Sequence, residues 1–353
     1  LNADEPISKM NASKSTSSEI NLPKNIGASS TVALVRGPIL TADGAINNEA
    51  TPAIALAYIA AYIRARGYEP VIVDAIAEGI NELWPLEKYT GFNCLGLNYS
   101  EIIERIPKDS QVIGFSGMFS SEWPALRDLI VEVRKEFPDA LLVAGGEHVT
   151  ALTEYSLRDC AALDACVRGE GEASFCNLLD SWHSKSSYED VAGIGYLDGS
   201  GTYHENGGLP RIRDLDEISW PEWPPGYLEK FWASGKSFGV GTERDMPFMV
   251  SRGCPYRCTF CSNENMWTTR YILRDIEDVV AELKKYVSQY DITSVQLYDL
   301  TAIIKKKWLM KLADRLVEEN IDIQWSTPSG TRSEALDHES LAALKNIGCT
   351  YLV

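Results

Sequence analysis

The sequence lacks a long apolar run, an excess of positive charge and an abundance of histidine. Its longest apolar run, residues 53–63, falls short of the roughly 20 residues that a membrane helix needs, so no transmembrane segment is predicted. Lys and Arg number 33 against 50 Asp and Glu, which gives a formal net charge of −17. Because binding to a nucleic-acid backbone depends on clustered Lys and Arg, this acidity argues against a nucleic-acid-binding protein.

A secretory signal is also missing, because residues 1–10 contain no basic segment followed by an apolar one. We therefore expect a cytoplasmic protein whose eight cysteines are kept reduced. Clustered cysteines in a reducing compartment more often bind metal or take part in chemistry than form disulfides. The length of 353 residues predicts about two domains, and a hydrophobic content of 45% is typical of globular proteins.

The first part of the chain predicts a tail followed by a doubly wound domain. Residues 1–28 are rich in Ser, Asn and Lys without apolar periodicity, which indicates a flexible tail. Across residues 29–184, strands that are apolar on both faces alternate with helices, and this pattern predicts a parallel sheet covered on both sides. The predicted strands are Thr31–Ile39, Glu69–Ile76, Gln111–Phe119, Ala140–Val149 and Ala162–Glu172. Ligands of such sheets lie beyond the carboxyl ends of the strands.

The second part of the chain predicts a connector and an incomplete barrel. Residues 185–245 are rich in Gly, Pro, Trp and Tyr, which is typical of irregular structure. Residues 246–353 return to alternation, with four predicted strands and three helices. The chain stops at the fourth strand, so we expect a truncated barrel, or a half-barrel that another chain completes.

The most informative segment is Ser251–Cys261, which has the sequence SRGCPYRCTFC. Three cysteines with spacing x3 and then x2 follow a predicted strand, and thiolates at this spacing are suited to three corners of an iron–sulfur cube. Three protein ligands leave one iron open for a chelating cofactor or substrate, by the logic that distinguishes catalytic from structural metal sites. Zinc is the alternative, but it needs a fourth ligand nearby, and no further Cys or His occurs before His338.

This motif, in the first loop of a βα barrel, resembles the radical S-adenosylmethionine (SAM) superfamily. The preceding domain resembles the cobalamin-binding domain of one large branch of that superfamily. Within this branch, the motif and the following MWTTRYILRD segment look closest to the group that contains the anaerobic magnesium-protoporphyrin ester cyclase and the hopanoid- and lipid-modifying enzymes. The resemblance implies an α/β protein with a Rossmann-like cobalamin-binding domain over residues 29–184 and a partial (β/α) radical SAM barrel over residues 246–353.

The resemblance also implies roles for residues of the barrel. Cys254, Cys258 and Cys261 would ligate a [4Fe–4S] cluster, whose open iron would be chelated by SAM and whose electron would release a 5′-deoxyadenosyl radical. The SAM-binding residues implied are Phe260, Tyr298, Asp299, Ser326, Thr327 and Arg332. Asp299 has a helix cap as its alternative role, and Arg332 a surface ion pair. No catalytic acid or base is identified.

For the corrin, the resemblance implies a site without a histidine ligand to cobalt. None of the four histidines lies in the Asp-x-His-x-x-Gly pattern of base-displacing cobalamin domains, and Asn47, Asn48 or Glu49 are candidates for the lower face. Glycines at strand ends allow close approach to a flat ligand, although each turn alone is typical of any doubly wound sheet. The corrin-binding residues implied are Ser116, Gly117, Met118, Gly145, Gly146, Glu147, His148 (as a hydrogen-bonding residue), Gly169, Glu170 and Gly171.

The function implied is radical chemistry on an unactivated carbon, with a [4Fe–4S] cluster, SAM and cobalamin as cofactors. Methyl transfer from methylcobalamin is the leading expectation, and a non-methylating cyclisation or a lipid or tetrapyrrole modification is the alternative. A cobalamin-binding sensor with a structural cluster is a third, non-enzymatic hypothesis. The expected partners are a small-molecule substrate (a lipid, tetrapyrrole or natural-product intermediate) and an electron donor such as flavodoxin or ferredoxin.

Overall fold

The computed structural model describes residues 30–45, 50–208, 211–239 and 242–353. The tail predicted over residues 1–28 lies outside the described residues, as do Asn47, Asn48 and Glu49. Within the described ranges, no helix is both long and apolar enough to cross a membrane.

The first half of the chain alternates strands and helices from residue 31 to residue 206. Its strands are β1 (Thr31–Arg36), β2 (Ile39–Ala42), β3 (Glu69–Asp74), β4 (Leu83–Pro85), β5 (Phe92–Leu95), β6 (Val112–Ser116), β7 (Leu141–Gly145), β8 (Ala165–Val167), β9 (Ile194–Leu197) and β10 (Tyr203–Asn206). Its helices are α1 (Ile54–Arg64), α2 (Ala75–Glu78), α3 (Tyr99–Arg105), α4 (Trp123–Glu136), α5 (Glu147–Ala151), α6 (Thr153–Asp159) and α7 (Gly171–Ser184).

Seven of these strands form one sheet in the order β10-β9-β8-β7-β6-β1-β3. Five of them, β3, β1, β6, β7 and β8, pair in parallel, while β9 and β10 extend the sheet in antiparallel pairing. Separate clusters of buried apolar side chains lie on the two faces of the sheet, so the doubly wound α/β prediction is confirmed. The carboxyl ends of β6, β7 and β8 therefore lie side by side at one edge of the sheet.

The structure corrects two details of the sequence-based prediction. The strand predicted over Thr31–Ile39 ends at Arg36, because Pro38 has no backbone N–H for a sheet hydrogen bond; β2 then joins a separate antiparallel sheet with β5 and β4. The segment 185–245, predicted to be an irregular connector, contributes β9 and β10 to the main sheet. These four-residue strands are too short and too Gly-flanked to produce a clear apolar pattern.

The second half of the chain builds a four-stranded parallel sheet. The strands of this half are β11 (Asp245–Phe248), β12 (Ser251–Arg252), β13 (Ile272–Leu273), β14 (Ser294–Leu297), β15 (Gln324–Thr327) and β16 (Cys349–Leu352), of which β11, β14, β15 and β16 form the sheet. Its helices are α8 (Tyr227–Ser234), α9 (Asn263–Met266), α10 (Ile276–Tyr290), α11 (Lys306–Glu318) and α12 (His338–Asn346). The sheet order β11-β14-β15-β16 is the order of a βα barrel wall, and Asp275 caps α10 through the Glu277 N–H.

The two halves share one apolar core, in which Ile39 and Ala57 of the first half cluster with Met246 and Phe248 of the second. A buried polar contact reinforces this junction. The Tyr227 hydroxyl donates to Asp74 at 2.6 Å and accepts from the Ala53 N–H at 2.9 Å. The core therefore fixes the position of one sheet relative to the other.

Replacing Tyr227 with phenylalanine should lower the free energy of unfolding by about 1–3 kcal/mol, because a buried carboxylate and a backbone N–H both lose their partner. Urea unfolding followed by circular dichroism measures the change. Tyr351→Phe is the matched control, since this side chain is 39% exposed, and it should change stability by less than about 0.5 kcal/mol. Equal effects of the two substitutions would contradict the prediction.

Candidate functional site between the two sheets

A cavity of about 280 Å³ opens at the carboxyl edge of the seven-stranded sheet. The first half lines it with the strand-end turns after β6, β7 and β8. The second half contributes Met249, Arg252, Trp267 and Tyr298, among other residues. The cavity therefore lies where the seven-stranded sheet faces the segment that carries the three cysteines.

Eight of the ten residues implied for corrin binding line this cavity. They are Ser116, Met118, Gly145, Gly146, Glu147, Gly169, Glu170 and Gly171. Three strand ends that are far apart in the sequence thus form one wall, as expected for neighbouring parallel strands. Gly117 and His148 lie behind this wall.

The glycine at position 146 is required by the packing of the wall. Its backbone has φ +115°, and a Cβ atom built there would lie 2.6 Å from the carbonyl oxygen of Gly117. The Gly117 N–H in turn donates to the Gly145 carbonyl at 2.7 Å. Two backbone turns therefore pack against each other without an intervening side chain.

His148 packs beneath the wall rather than projecting into the cavity. Its ring stacks on Trp123 with centroids 4.8 Å apart, and its Nδ1 lies 2.8 Å from the Ser120 hydroxyl. Burial lowers the pKa of His148, which favours the neutral ring. The residue thus supports the turn that carries Glu147, a cavity-lining carboxyl whose pKa burial raises.

A group of buried charges crosses the cavity from one half to the other. Arg252 donates to Glu172 at 2.6 Å and to Glu170 at 3.2 Å, and its guanidinium lies over the ring of Tyr58. Arg211 also donates to Glu170, at 3.0 Å. The sequence patterns indicated no role for Glu172, Arg211 or Arg252, although Arg252 lies within the Ser251–Cys261 motif.

The cysteine loop begins at a tightly constrained glycine. Gly253 has φ +84°, and a Cβ there would lie 2.1 Å from the Arg270 carbonyl oxygen. Cys254, Cys258 and Cys261 are free thiols, and Cys261 is exposed. In the part of the chain that the structure describes, no three His, Cys, Asp or Glu side chains are grouped closely enough to hold a single metal ion.

The donor set nevertheless fits an iron–sulfur cluster better than a zinc ion. A cubane cluster binds each thiolate at a different iron, so its ligands need not converge on one point. Arg332 donates to the Cys258 sulfur at 3.2 Å and stacks over the Tyr256 ring at 4.1 Å. The guanidinium therefore links the cysteine loop to the segment that follows β15. Arg332 also lies 3.9 Å from Glu334, which is the kind of ion pair considered as its alternative role.

The other residues implied for SAM binding lie in several different surroundings. Tyr298 lines the cavity, whereas Phe260 is 91% exposed on the cysteine loop. Ser326 is buried and donates to Gln296 on the neighbouring strand. Thr327 is buried as well, and its hydroxyl has no hydrogen-bond partner among the described residues. Of these four side chains, Tyr298 alone lines the cavity.

Asp299 holds the backbone that precedes the cysteine loop. Its carboxylate accepts hydrogen bonds from the Val250 N–H at 3.1 Å and from the Ser251 hydroxyl. It caps no helix, since α11 begins at Lys306. Burial raises the pKa of Asp299 to about 6. The residue thus anchors the loop to the end of β14.

We expect Asp299 to give this fold a measurable pH dependence. Because the folded-state pKa of about 6 exceeds the ordinary value of 3.8, its stabilising contribution is complete below about pH 4 and lost as the pH rises through 6. The free energy of unfolding, relative to Asp299→Asn, should fall by about 3 kcal/mol between pH 4 and 7. Urea titrations of both proteins across this range measure the difference, and a constant difference would contradict the prediction.

The fold and the site define a two-domain α/β protein with a ligand cavity between a doubly wound sheet and a cysteine-bearing barrel wall. Residues 48–179 match the B12 binding domain family, and residues 248–353 match the radical SAM superfamily. The chain therefore combines a B12-binding domain with a radical SAM domain, which are the two domains that the sequence resemblance implied.

Similar proteins include curated relatives and solved structures. The chain is 28% identical to an uncharacterized methyltransferase of Pyrococcus horikoshii, over 90% of this chain and 63% of that protein. It is also 28% identical to the anaerobic magnesium-protoporphyrin IX monomethyl ester cyclase of Rubrivivax gelatinosus, over 84% of this chain and 50% of that protein. The chain thus spans about half to two thirds of the length of these relatives.

Among solved structures, the chain resembles the radical SAM methyltransferase TsrM from Kitasatospora setae, whose structure has cobalamin and a [4Fe–4S] cluster bound. The TM-score is 0.65 at 16% identity, over 91% of this chain and 60% of that one. At this identity the similarity establishes the fold.

Proposed function

We propose that the protein is a cobalamin-dependent radical SAM enzyme, and that its most probable reaction class is methylation of an unactivated carbon. The observation that carries this proposal is the shared cavity, where the glycine-rich strand ends and the segment leading into three free cysteines face each other. The bound cluster would supply the electron that cleaves SAM, and cobalamin would carry the methyl group. Both cofactors therefore need to meet in one site.

The chain's own residues would divide the work of binding. Cys254, Cys258 and Cys261 would hold the cluster, with Arg332 placed to balance its negative charge. The eight lining residues of the glycine wall would hold the corrin, and Tyr298 would close the cavity opposite them. A contact between Phe260 and SAM remains a proposal that requires the exposed loop to fold over its ligand.

The remaining partners belong to the same proposal. The substrate would be a small molecule, such as a lipid, a tetrapyrrole or a natural-product intermediate, and a flavodoxin or ferredoxin would supply electrons. A cytoplasmic location is consistent with eight free cysteines. The second candidate function is a non-methylating cyclisation, which is favoured by the similarity to the Rubrivivax gelatinosus cyclase.

Anaerobic reconstitution tests the proposal. The protein is loaded with iron, sulfide and hydroxocobalamin, and SAM and a reductant are added. Mass spectrometry should then detect 5′-deoxyadenosine, and S-adenosylhomocysteine if methyl transfer occurs. Deoxyadenosine without S-adenosylhomocysteine would favour the cyclisation. Neither product from a chain that holds both cofactors would overturn the enzymatic proposal and favour the sensor hypothesis.

A further inference from the structure

The buried charges between the two halves connect the corrin wall with the cysteine loop. The side chains of Arg252, Glu170 and Glu172 are each 6% exposed or less. Arg252 bridges the two carboxylates, with its two terminal nitrogens donating one hydrogen bond to each. Both glutamates belong to the turn Gly169–Glu172, which lines the cavity from the first half. The turn and the guanidinium therefore move together.

Arg252 lies two residues before Cys254, and the backbone between them is closely packed. Gly253 is in the left-handed region and leaves no room for a Cβ atom beside the Arg270 carbonyl oxygen. On its other side, the segment is tied to the barrel by the bonds of Val250 and Ser251 to Asp299. A change in the position of Arg252 is thus passed to Cys254 rather than absorbed by a flexible linker.

The remaining contacts of this group show that its charges are balanced. The second oxygen of Glu170 accepts from Arg211 Nε at 3.0 Å and from the Ile212 N–H at 2.6 Å. Two arginines therefore face two glutamates in a site that is largely closed to water. Breaking such a buried pair leaves an uncompensated charge, so the arrangement in which the ion pairs are formed is strongly favoured over arrangements in which one of them is broken.

We propose that the ion pairs of Arg252 with Glu170 and Glu172 couple the two cofactor sites. This inference rests on the proposed function. Cobalamin bound against the Gly169–Glu172 turn further stabilises the turn in the position from which the two carboxylates hold Arg252, and Arg252 in turn holds the cysteine loop for SAM. By linkage, SAM must raise the affinity for cobalamin by the same factor. Arg252, Glu170 and Glu172 are thus positioning residues.

The coupling is measured by equilibrium binding, without turnover. The protein is reconstituted with its cluster, and hydroxocobalamin is titrated by absorbance with and without saturating SAM, in the absence of reductant. In the wild-type protein, SAM should lower the Kd for hydroxocobalamin by about tenfold, which is typical of coupled sites. A substitution at a residue with a merely structural role would alter both affinities for hydroxocobalamin but leave the ratio of the Kd values without and with SAM unchanged.

Two variants and one control isolate the ion pairs. Arg252→Lys keeps the charge but loses the planar fork that bridges both carboxylates, and Glu172→Gln keeps the guanidinium and its bond to Glu170. Both should reduce the SAM effect to less than about twofold, well below the usual range for coupled sites. Glu222→Gln breaks the 2.7 Å ion pair with Arg64, which also joins the two halves but is half-exposed and outside the cavity lining. It should retain the wild-type ratio.

The outcomes separate this inference from the function on which it rests. A wild-type protein that binds no cobalamin, or builds no cluster, overturns the proposed function. A wild-type protein that holds both but shows no SAM effect overturns the coupling alone, as does a full SAM effect in both variants. If Arg252→Lys loses its cluster, Glu172→Gln decides the question, because it leaves the Arg252–Glu170 bond in place.

Discussion

Replacing Cys258 with alanine should abolish 5′-deoxyadenosine formation and remove most of the iron from the reconstituted protein. Cysteine thiolates hold the irons of such clusters, and two ligands in an exposed loop are too few to retain a cube. Cys258 is also the sulfur that accepts the hydrogen bond from Arg332, so the substitution removes this bond and leaves the stacking of Arg332 on Tyr256. Iron content and visible absorbance measure the loss of the cluster, and mass spectrometry measures the loss of 5′-deoxyadenosine.

Cys349 provides the matched control for this experiment. It is a partly exposed free thiol on β16, outside the Ser251–Cys261 loop, so Cys349→Ala should retain the full cluster and full SAM cleavage. If Cys258→Ala keeps its iron and still cleaves SAM, the three-cysteine loop does not carry the cluster. If both substitutions lose iron to the same extent, a general effect on folding explains the result.

Replacing Gly146 with alanine should weaken cobalamin binding by about 100-fold. The added Cβ would lie 2.6 Å from the Gly117 carbonyl oxygen, and φ +115° is a region that alanine rarely adopts. Relief of this strain requires the turns after β6 and β7 to separate, which would deform the wall of the cavity. Strain of about 3 kcal/mol corresponds to a loss of roughly 100-fold in affinity. Absorbance titration with hydroxocobalamin measures the loss.

Gly199→Ala is the appropriate control, because a Cβ at this position meets no atom within 4 Å and its backbone has no positive φ. It should bind hydroxocobalamin with wild-type affinity. The cluster content of Gly146→Ala should also stay intact, because the substituted turn does not include the cysteine loop. Wild-type cobalamin affinity in Gly146→Ala would show that the glycine wall is not the corrin site.

The two halves of the candidate site were predictable to different degrees. The cysteine spacing and the glycine turns are local patterns, and the doubly wound alternation places successive turns at one sheet edge. The sequence therefore indicated eight residues that line the cavity. It did not indicate that His148 lies behind the wall, because a histidine next to a glycine turn can face either side.

Asp299 illustrates a role that depends on contacts distant in sequence. Its position at the end of a barrel strand suggested a ligand or a helix cap, yet its carboxylate binds backbone and side-chain donors 48 and 49 residues earlier. Likewise, the short strand β9 pairs with β8, and β10 pairs with β9, so the place of both strands in the sheet depends on a strand earlier in the chain. Residue patterns along the chain do not record such partners.

The sequence by itself determined the class of this protein: an acidic, two-domain α/β chain with a three-cysteine loop and glycine-rich strand ends. Composition sets the acidity, and the cysteine loop and the glycine turns are each set by spacing over about a dozen residues or fewer, which local physical chemistry can interpret. Only the tertiary structure decided that Arg252 joins Glu170 and Glu172 across the cavity, because these residues are 80 or more positions apart. Burial of a charge requires a partner, and only the folded chain determines which carboxylates are within reach.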